Sequence, residues 1–178
     1  DLGARHILQD IKDTAERAAQ KLGRQVHIVA ESDLNDVRLL LPPQQGGFGI
    51  DAQWSDDFHH LVHVALTGER QGNYEEYRAP EQFPQLLENT FVLNGCYSAH
   101  RGRCHGGPDA GIPGNRFVVS IQNHDQVGNR AAGERLGTLI TPAAQRLAAS
   151  LLLLAPHLPL LFMGEEYGEE HPFQFFCS

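Results

Sequence analysis

The chain has 178 residues, of which 41% are hydrophobic and 20% charged, the balance of a globular domain and not of a disordered or fibrous chain. Its 22 acidic against 14 basic residues give a formal net charge of -8, so no basic footprint for nucleic acid or an anionic membrane is present. A neutral or cationic small substrate is expected instead, with no nucleic-acid partner and no membrane partner.

The longest apolar stretch, Leu151 to Leu161, is interrupted by Pro156, His157 and Pro159, so a membrane-spanning helix is not expected. The first residues lack the basic-then-apolar layout of a signal peptide. Cys96, Cys104 and Cys177 are too oddly spaced for a disulfide framework, which points to a reducing compartment and a cytoplasmic location.

In chain order, Ile7, Leu8, Ile11, Ala15, Ala18, Ala19 and Leu22 recur at helical spacing, and Gly23 supplies a stop. A short apolar run, Val26 to Ala30, predicts a strand that exits at Glu31-Ser32-Asp33. After the turn-rich Pro42 to Gly47, Gly49 to Trp54 predicts a second strand. Ser55-Asp56-Asp57 reads as the cap and acidic first turn of a helix that Gly68 ends. Residues 69 to 115 read as a long barrel loop, dense in glycine and proline near its end.

Phe117 to Ile121 predicts a third strand, stopping abruptly at the polar Gln122-Asn123-His124-Asp125, with Gln126-Val127-Gly128 as the following turn. Thr141-Pro142 starts a helix through Leu154 that Pro156 closes, and Leu158 to Met163 predicts a fourth strand leaving through Gly164-Glu165-Glu166-Tyr167-Gly168. Four apolar strands separated by helices and long loops argue for a parallel α/β fold. In a (β/α)8 barrel the reacting groups sit at the C-terminal strand ends. Glu31, Trp54, Asp125 and Glu165-Glu166 would then share one pocket. Carboxylates beside an aromatic suit a sugar, because glycoside cleavage uses two carboxyl groups, roughly 5–5.5 Å apart in retaining enzymes. Each residue also has an ordinary structural reading. A strand-end glutamate can cap a helix or pair with a cation, and Trp54 can be core.

Gln122-Asn123-His124-Asp125 resembles a conserved region of the α-amylase superfamily, glycoside hydrolase family 13, and Ala30-Glu31-Ser32-Asp33 resembles its general-acid region. Three longer segments, Ile50 to His60, Gln126 to Arg130 and Phe162 to Gly168, narrow the resemblance to the maltooligosyltrehalose trehalohydrolase family. The short Asn-His-Asp triplet is weakly specific, whereas Asp51 to His60 is strongly so.

The resemblance implies a retaining hydrolase acting on maltooligosyltrehalose, at the α-1,4 bond beside the terminal trehalose, and working with a maltooligosyltrehalose synthase. It implies no metal and no organic cofactor. Glu31 would be the proton donor and Asp125 the carboxylate stabilising the transition state. Trp54, Asp56, Asp57, Phe58, His59, His60, His124, Gln126, Val127, Gly128 and Asn129 would bind substrate. The resemblance also implies an attacking aspartate in an Arg-Leu-Asp-Ala type motif, and no such motif occurs in the sequence. Residues 1 to 178 are therefore expected to be the C-terminal half of a (β/α)8 TIM barrel, about strands five to eight, truncated at both ends. Such a piece of the catalytic domain, lacking its nucleophile upstream of Asp1, is expected to be inactive alone.

Other readings remain. A branching enzyme or another α-glucan-active member shares the acid and the Asn-His-Asp aspartate, and a non-catalytic carbohydrate-binding relic shares the fold. His59 and His63 stand one helical turn apart, and Cys96, His100, Cys104 and His105 crowd one loop, spacings that invite a zinc reading.

Overall fold

The computed structural model describes residues 5–174. Helix α1 spans Ile7–Leu22; His6 Nδ1 accepts from the Leu8 amide, and Gly23, at φ 61°, closes the C-terminus in the left-handed conformation that glycine adopts without strain. The strand β1 is Val29–Ala30 and β2 is Ala52–Trp54. Helix α2 runs Asp56–Thr67, with Ser55 at its N-cap, Asp56 and Asp57 in the first turn, and Gly68 at its C-cap. The bounds of α1 and α2 are those the sequence punctuation predicts.

Residues 69 to 115 are not a bare loop. They contain α3, Phe83–Asn89, and an antiparallel hairpin of β3, Tyr97–Ser98, with β4, Arg103–Cys104. After β5, Phe117–Val119, come α4, His124–Gly128, and α5, Leu136–Leu139. Helix α6, Pro142–Leu154, begins where Thr141 Oγ1 accepts from the Ala144 amide, and it leads to β6, Leu158–Pro159.

The main sheet is parallel throughout, in the order β1-β2-β5-β6, with Ala30 opposite Gln53, Trp54 opposite Val118, and Val119 opposite Pro159. Spatial order follows chain order without reversal. That is the order of consecutive barrel strands and differs from a doubly wound sheet, which has a switch point. All four C-terminal strand ends face the same way because every pairing is parallel.

Each paired stretch is shorter than its apolar run. The predicted strands 26–30, 49–54, 117–121 and 158–163 are reduced to two or three ladder residues each. Apolar runs record burial potential, and hydrogen-bonded pairing needs a neighbour along the whole run, which the outer strands β1 and β6 have on one side only.

The larger core lies between the sheet and its covering helices: Phe58, Leu61 and Val62 of α2, Leu86 of α3, and Ala148 and Leu152 of α6 pack with Val119 and Ile121. Burying each large side chain contributes roughly 1.5–3 kcal/mol. A second cluster joins Val37, Leu40, Phe91 and Phe117, with the two phenyl rings edge to face at 5.3 Å. The Lys12 ammonium lies 2.6 Å from Asp51 Oδ1, while Asp51 Oδ2 accepts from the Ile28 amide, tying α1 to the starts of β1 and β2.

Candidate active site at the strand exits

At the exit of β5, Asn123 takes extended backbone angles and its Oδ1 accepts from the Gln126 amide at 2.8 Å. It is an N-cap. Residues 124–128 therefore form the short helix α4, which takes in the turn predicted at 126–128, and α4 presents His124 and Asp125 side by side, His124 Nε2 to Asp125 Oδ1 3.5 Å. His124, Asp125, Gln126 and Gly128 are partly exposed, Asn129 is exposed, and Val127 is buried as part of the support.

Glu31 is exposed at the exit of β1, and Trp54 is partly exposed as the last residue of β2. Asp56 is where these exits meet. Burial pushes its carboxyl up to about 6, and the negative charges of Asp33, Asp57, Glu31 and Asp125 push in the same direction. Acidic groups from three strand exits are thus within electrostatic reach of one partly buried carboxyl. Negative charge gathered in this way disfavours anions.

The structure divides the run 56–60. Asp56 faces the carboxylates, but Asp57, Phe58, His59 and His60 point into the interior, none more than 6% exposed. They stand behind the surface that the resemblance assigns to substrate, because the inward face of α2 must cover the sheet. Phe58 packs in the main core. His59 hydrogen bonds through Nδ1 to the Ile121 carbonyl at 2.9 Å and through Nε2 to Tyr74 Oη at 3.1 Å. His60 stacks on Tyr77 at 5.0 Å, and burial drives its pKa down to about 3. These rings are neutral packing elements.

The zinc readings fail on geometry. Both ring nitrogens of His59 are engaged, His63 Nε2 lies 2.7 Å from Glu69 Oε2, and His105 Nε2 donates to the Asp33 carbonyl at 2.9 Å. Among the described residues no group of three or more histidine, cysteine or acidic side chains is placed to hold a metal ion. Cys96 and Cys104 are free thiols, and Cys177 lies outside the described residues.

Glu165 and Glu166 do local work at the β6 exit. Glu165 Oε2 accepts from the Phe162 amide at 2.8 Å, and Glu166 Oε2 from the Gly164 amide at 3.0 Å. Burial holds the Glu165 carboxyl up at about 7.

Behind Asp125 stands a wall that no local sequence signal marks. Arg130 forms a two-pronged pair with Glu69, Nη1 to Oε2 2.9 Å and Nη2 to Oε1 3.0 Å, and His63 stacks on Tyr74 at 4.5 Å. Asn73, Tyr74, Asp125, Gln126, Asn129 and Arg130 line a polar groove of about 520 Å³. Glu69, Asn73 and Tyr74 belong to a stretch with no periodic signal. Asp33, in contrast, stands in the predicted exit of β1, two residues from Glu31.

An α/β fold with a parallel sheet and carboxylates gathered at its strand exits is an arrangement of the α-amylase type. A crystal structure from Salmonella typhimurium, of a protein provisionally named an alpha amylase, matches it with a TM-score of 0.87 and 43% identity, over 100% of this chain and 31% of that one. More particularly, the chain is homologous over its whole length to a segment of malto-oligosyltrehalose trehalohydrolases. It is 46% identical over 178 residues to that of Saccharolobus solfataricus, and 45% over 180 residues to that of Rhizobium sp.. The identity to that of Mycobacterium tuberculosis is 42% over 180 residues. In each case all of this chain is covered, against 30–31% of the relative, so the chain spans about a third of the length of these relatives. No family model matches it.

Proposed function

We propose that this chain forms the acid-bearing side of a retaining glycoside hydrolase that cleaves the α-1,4 bond next to the terminal trehalose of maltooligosyltrehalose. The observation that carries the reading is the placement of Glu31, Asp56 and Asp125 at the C-terminal exits of β1, β2 and β5, three neighbouring strands of one parallel sheet. The names of the relatives support the substrate class.

In this reading Glu31 gives its proton to the glycosidic oxygen as the C1–O bond breaks, and trehalose leaves with the new hydroxyl. An attacking carboxylate takes C1 and forms a glycosyl ester. Glu31, now ionised, removes a proton from a water whose oxygen displaces that ester and releases the shortened maltooligosaccharide. Asp125 stabilises the positive charge that develops on the ring, while His124 binds a hydroxyl of the same ring. Trp54 offers a face for stacking, and Asp56, Gln126 and Asn129 offer polar contacts along the sugar. Asp57, Phe58, His59, His60, Val127 and Gly128 shape the wall from behind, in keeping with their place in α2 and α4.

We propose also that residues 1 to 178 are about strands five to eight of a catalytic (β/α)8 barrel. The sequential parallel order supports this, as do apolar side chains left uncovered at both flanks of the sheet, Val26 and Val29 on one side and Leu158, Leu161 and Met163 on the other. The described residues supply two of the three carboxylates that the chemistry needs, so the chain by itself should not turn over. The substrate would come from an enzyme that builds the trehalose end onto a maltooligosaccharide, a maltooligosyltrehalose synthase.

Product analysis tests the reading. The complete protein given maltotriosyltrehalose should release trehalose and maltotriose. Appearance of α-1,6 branches from an α-glucan would favour a branching enzyme, and binding without turnover would favour a carbohydrate-binding relic.

A further inference from the structure

Asp57 is the most deeply held carboxyl near the site and has no part in the chemistry above. It is 3% exposed, yet its Oδ1 accepts from Tyr77 Oη at 2.6 Å and its Oδ2 from Asn35 Nδ2 at 3.0 Å and the amides of Val92 and Leu93 at 2.6 and 2.9 Å. Burial pushes the Asp57 carboxyl up while these four hydrogen bonds pull it down, and four donors nearly fill the accepting capacity of its two oxygens. One side chain therefore gathers α2, the segment 92–93, Tyr77 and the loop that follows β1.

The link to that loop is Asn35, four residues beyond Glu31. Asn35 is 2% exposed and sits at φ 52°, a left-handed conformation that asparagine tolerates better than most residues. Its Nδ2 serves both Asp57 Oδ2 and the Leu93 carbonyl, each at 3.0 Å, and its own carbonyl accepts from the Gly107 amide at 3.1 Å. His105 Nε2 holds the Asp33 carbonyl in the same loop. The fit is tight. A Cβ at Gly106, where φ is 74°, would stand 1.9 Å from the Leu93 oxygen. The strand before Glu31 is only two residues long and lies at the edge of the sheet, so ladder pairing holds the exit weakly.

We propose that Asn35 is a positioning residue: its bridge to Asp57 and Leu93 fixes the exit loop of β1 and so holds Glu31, four residues before it, at the strand exit beside that of β2. This inference rests on the assignment of Glu31 as the acid. Both amide hydrogens have an acceptor, which explains an asparagine here. An aspartate would put oxygen against the Leu93 carbonyl and the Asp57 carboxyl, while glycine would keep the left-handed backbone and delete the bridge.

The test uses the complete protein with Asn35→Gly and Asn35→Asp, read by steady-state kinetics on maltotriosyltrehalose and by amide hydrogen exchange. Asn35→Gly should lower kcat by about 10- to 100-fold with KM within about twofold, since a small displacement of a reacting group costs on that scale. It should also speed exchange in residues 31–36 and leave α6 unchanged. Asn35→Asp should lose kcat similarly near neutral pH and regain part of it as the pH falls and the new carboxyl acquires a donor hydrogen. Unchanged exchange at 31–36 in both variants overturns the bridge as an anchor. Faster exchange with unchanged kcat overturns the positioning role. Glu31→Gln separates the two readings: full activity in that variant would remove the acid assignment, while the exchange result still decides the anchor.

Discussion

The centre and the flanks of this sheet are built differently. At the centre, β2 and β5 have a neighbour on both sides and lie under α2, whose Phe58, Leu61 and Val62 are at most 1% exposed. At the flanks the same kinds of residue are uncovered: Ile7 of α1 is 56% exposed, and Leu154 of α6 is 85% exposed. The apolar stripe of α1 is as regular as that of α2, yet Ala19 is its one buried residue. Amphipathic patterning says which face seeks cover, and what covers it depends on the surroundings. The candidate site draws on both regions, with Asp56 at the anchored centre and Glu31 at the weakly paired edge.

The contrast can be broken by mutation. Phe58→Ala in α2 should cost about 3–5 kcal/mol by chemical denaturation, the scale of a large cavity in a core that cannot collapse. A loss below 1 kcal/mol would mean that the centre is not the stable part.

Asp56→Asn should act oppositely. The Asp56 pKa is raised by folding, so the stability associated with its protonated form is present in acid and lost as pH rises through about 6. Removing the ionisable group should therefore stabilise the protein by roughly 2–3 kcal/mol at pH 7–8. It should also flatten the stability profile between pH 4 and about 6. Melting temperatures across that range check it, and an unaltered profile would show that burial and the neighbouring carboxylates do not hold the Asp56 carboxyl up.

Thr141→Ala removes the N-cap of α6 and should cost about 1 kcal/mol. The smallest effect is expected at the flank, where Leu154→Ser should fall within about 0.5 kcal/mol for the 178-residue chain. A complete barrel that covers α6 and β6 sharpens this, since Leu161→Asp, nearly neutral in the chain alone, should then become strongly destabilising.

Much of the centre was legible in the sequence, because its signals are local. Ser55 with Gly68 and Thr141 with Pro142 mark α2 and α6 by backbone chemistry that acts within a turn. The strands are legible but shorter than their apolar runs, since the run Leu158 to Met163 looks like a buried strand whether or not a neighbour pairs with it. Glu31 and Asp125 were visible as polar residues ending apolar runs. What remained hidden is non-local. Nothing near Asp57 in sequence foretells that Tyr77, Val92, Leu93 and Asn35 close on it, and its place beside Asp56 invites the reading of a surface residue. His59 and His63 show the same limit, because helical spacing offers a metal pair and the fold spends His59 on Ile121 and Tyr74.

The central claim is that Glu31 is the acid of a trehalose-releasing site. The most direct measurement is trehalose release from maltotriosyltrehalose by the complete protein and its Glu31→Gln variant. The variant should lose at least about 10²-fold in kcat, the usual range for removing a general acid, with substrate binding retained. Turnover equal to that of the unaltered protein would contradict it.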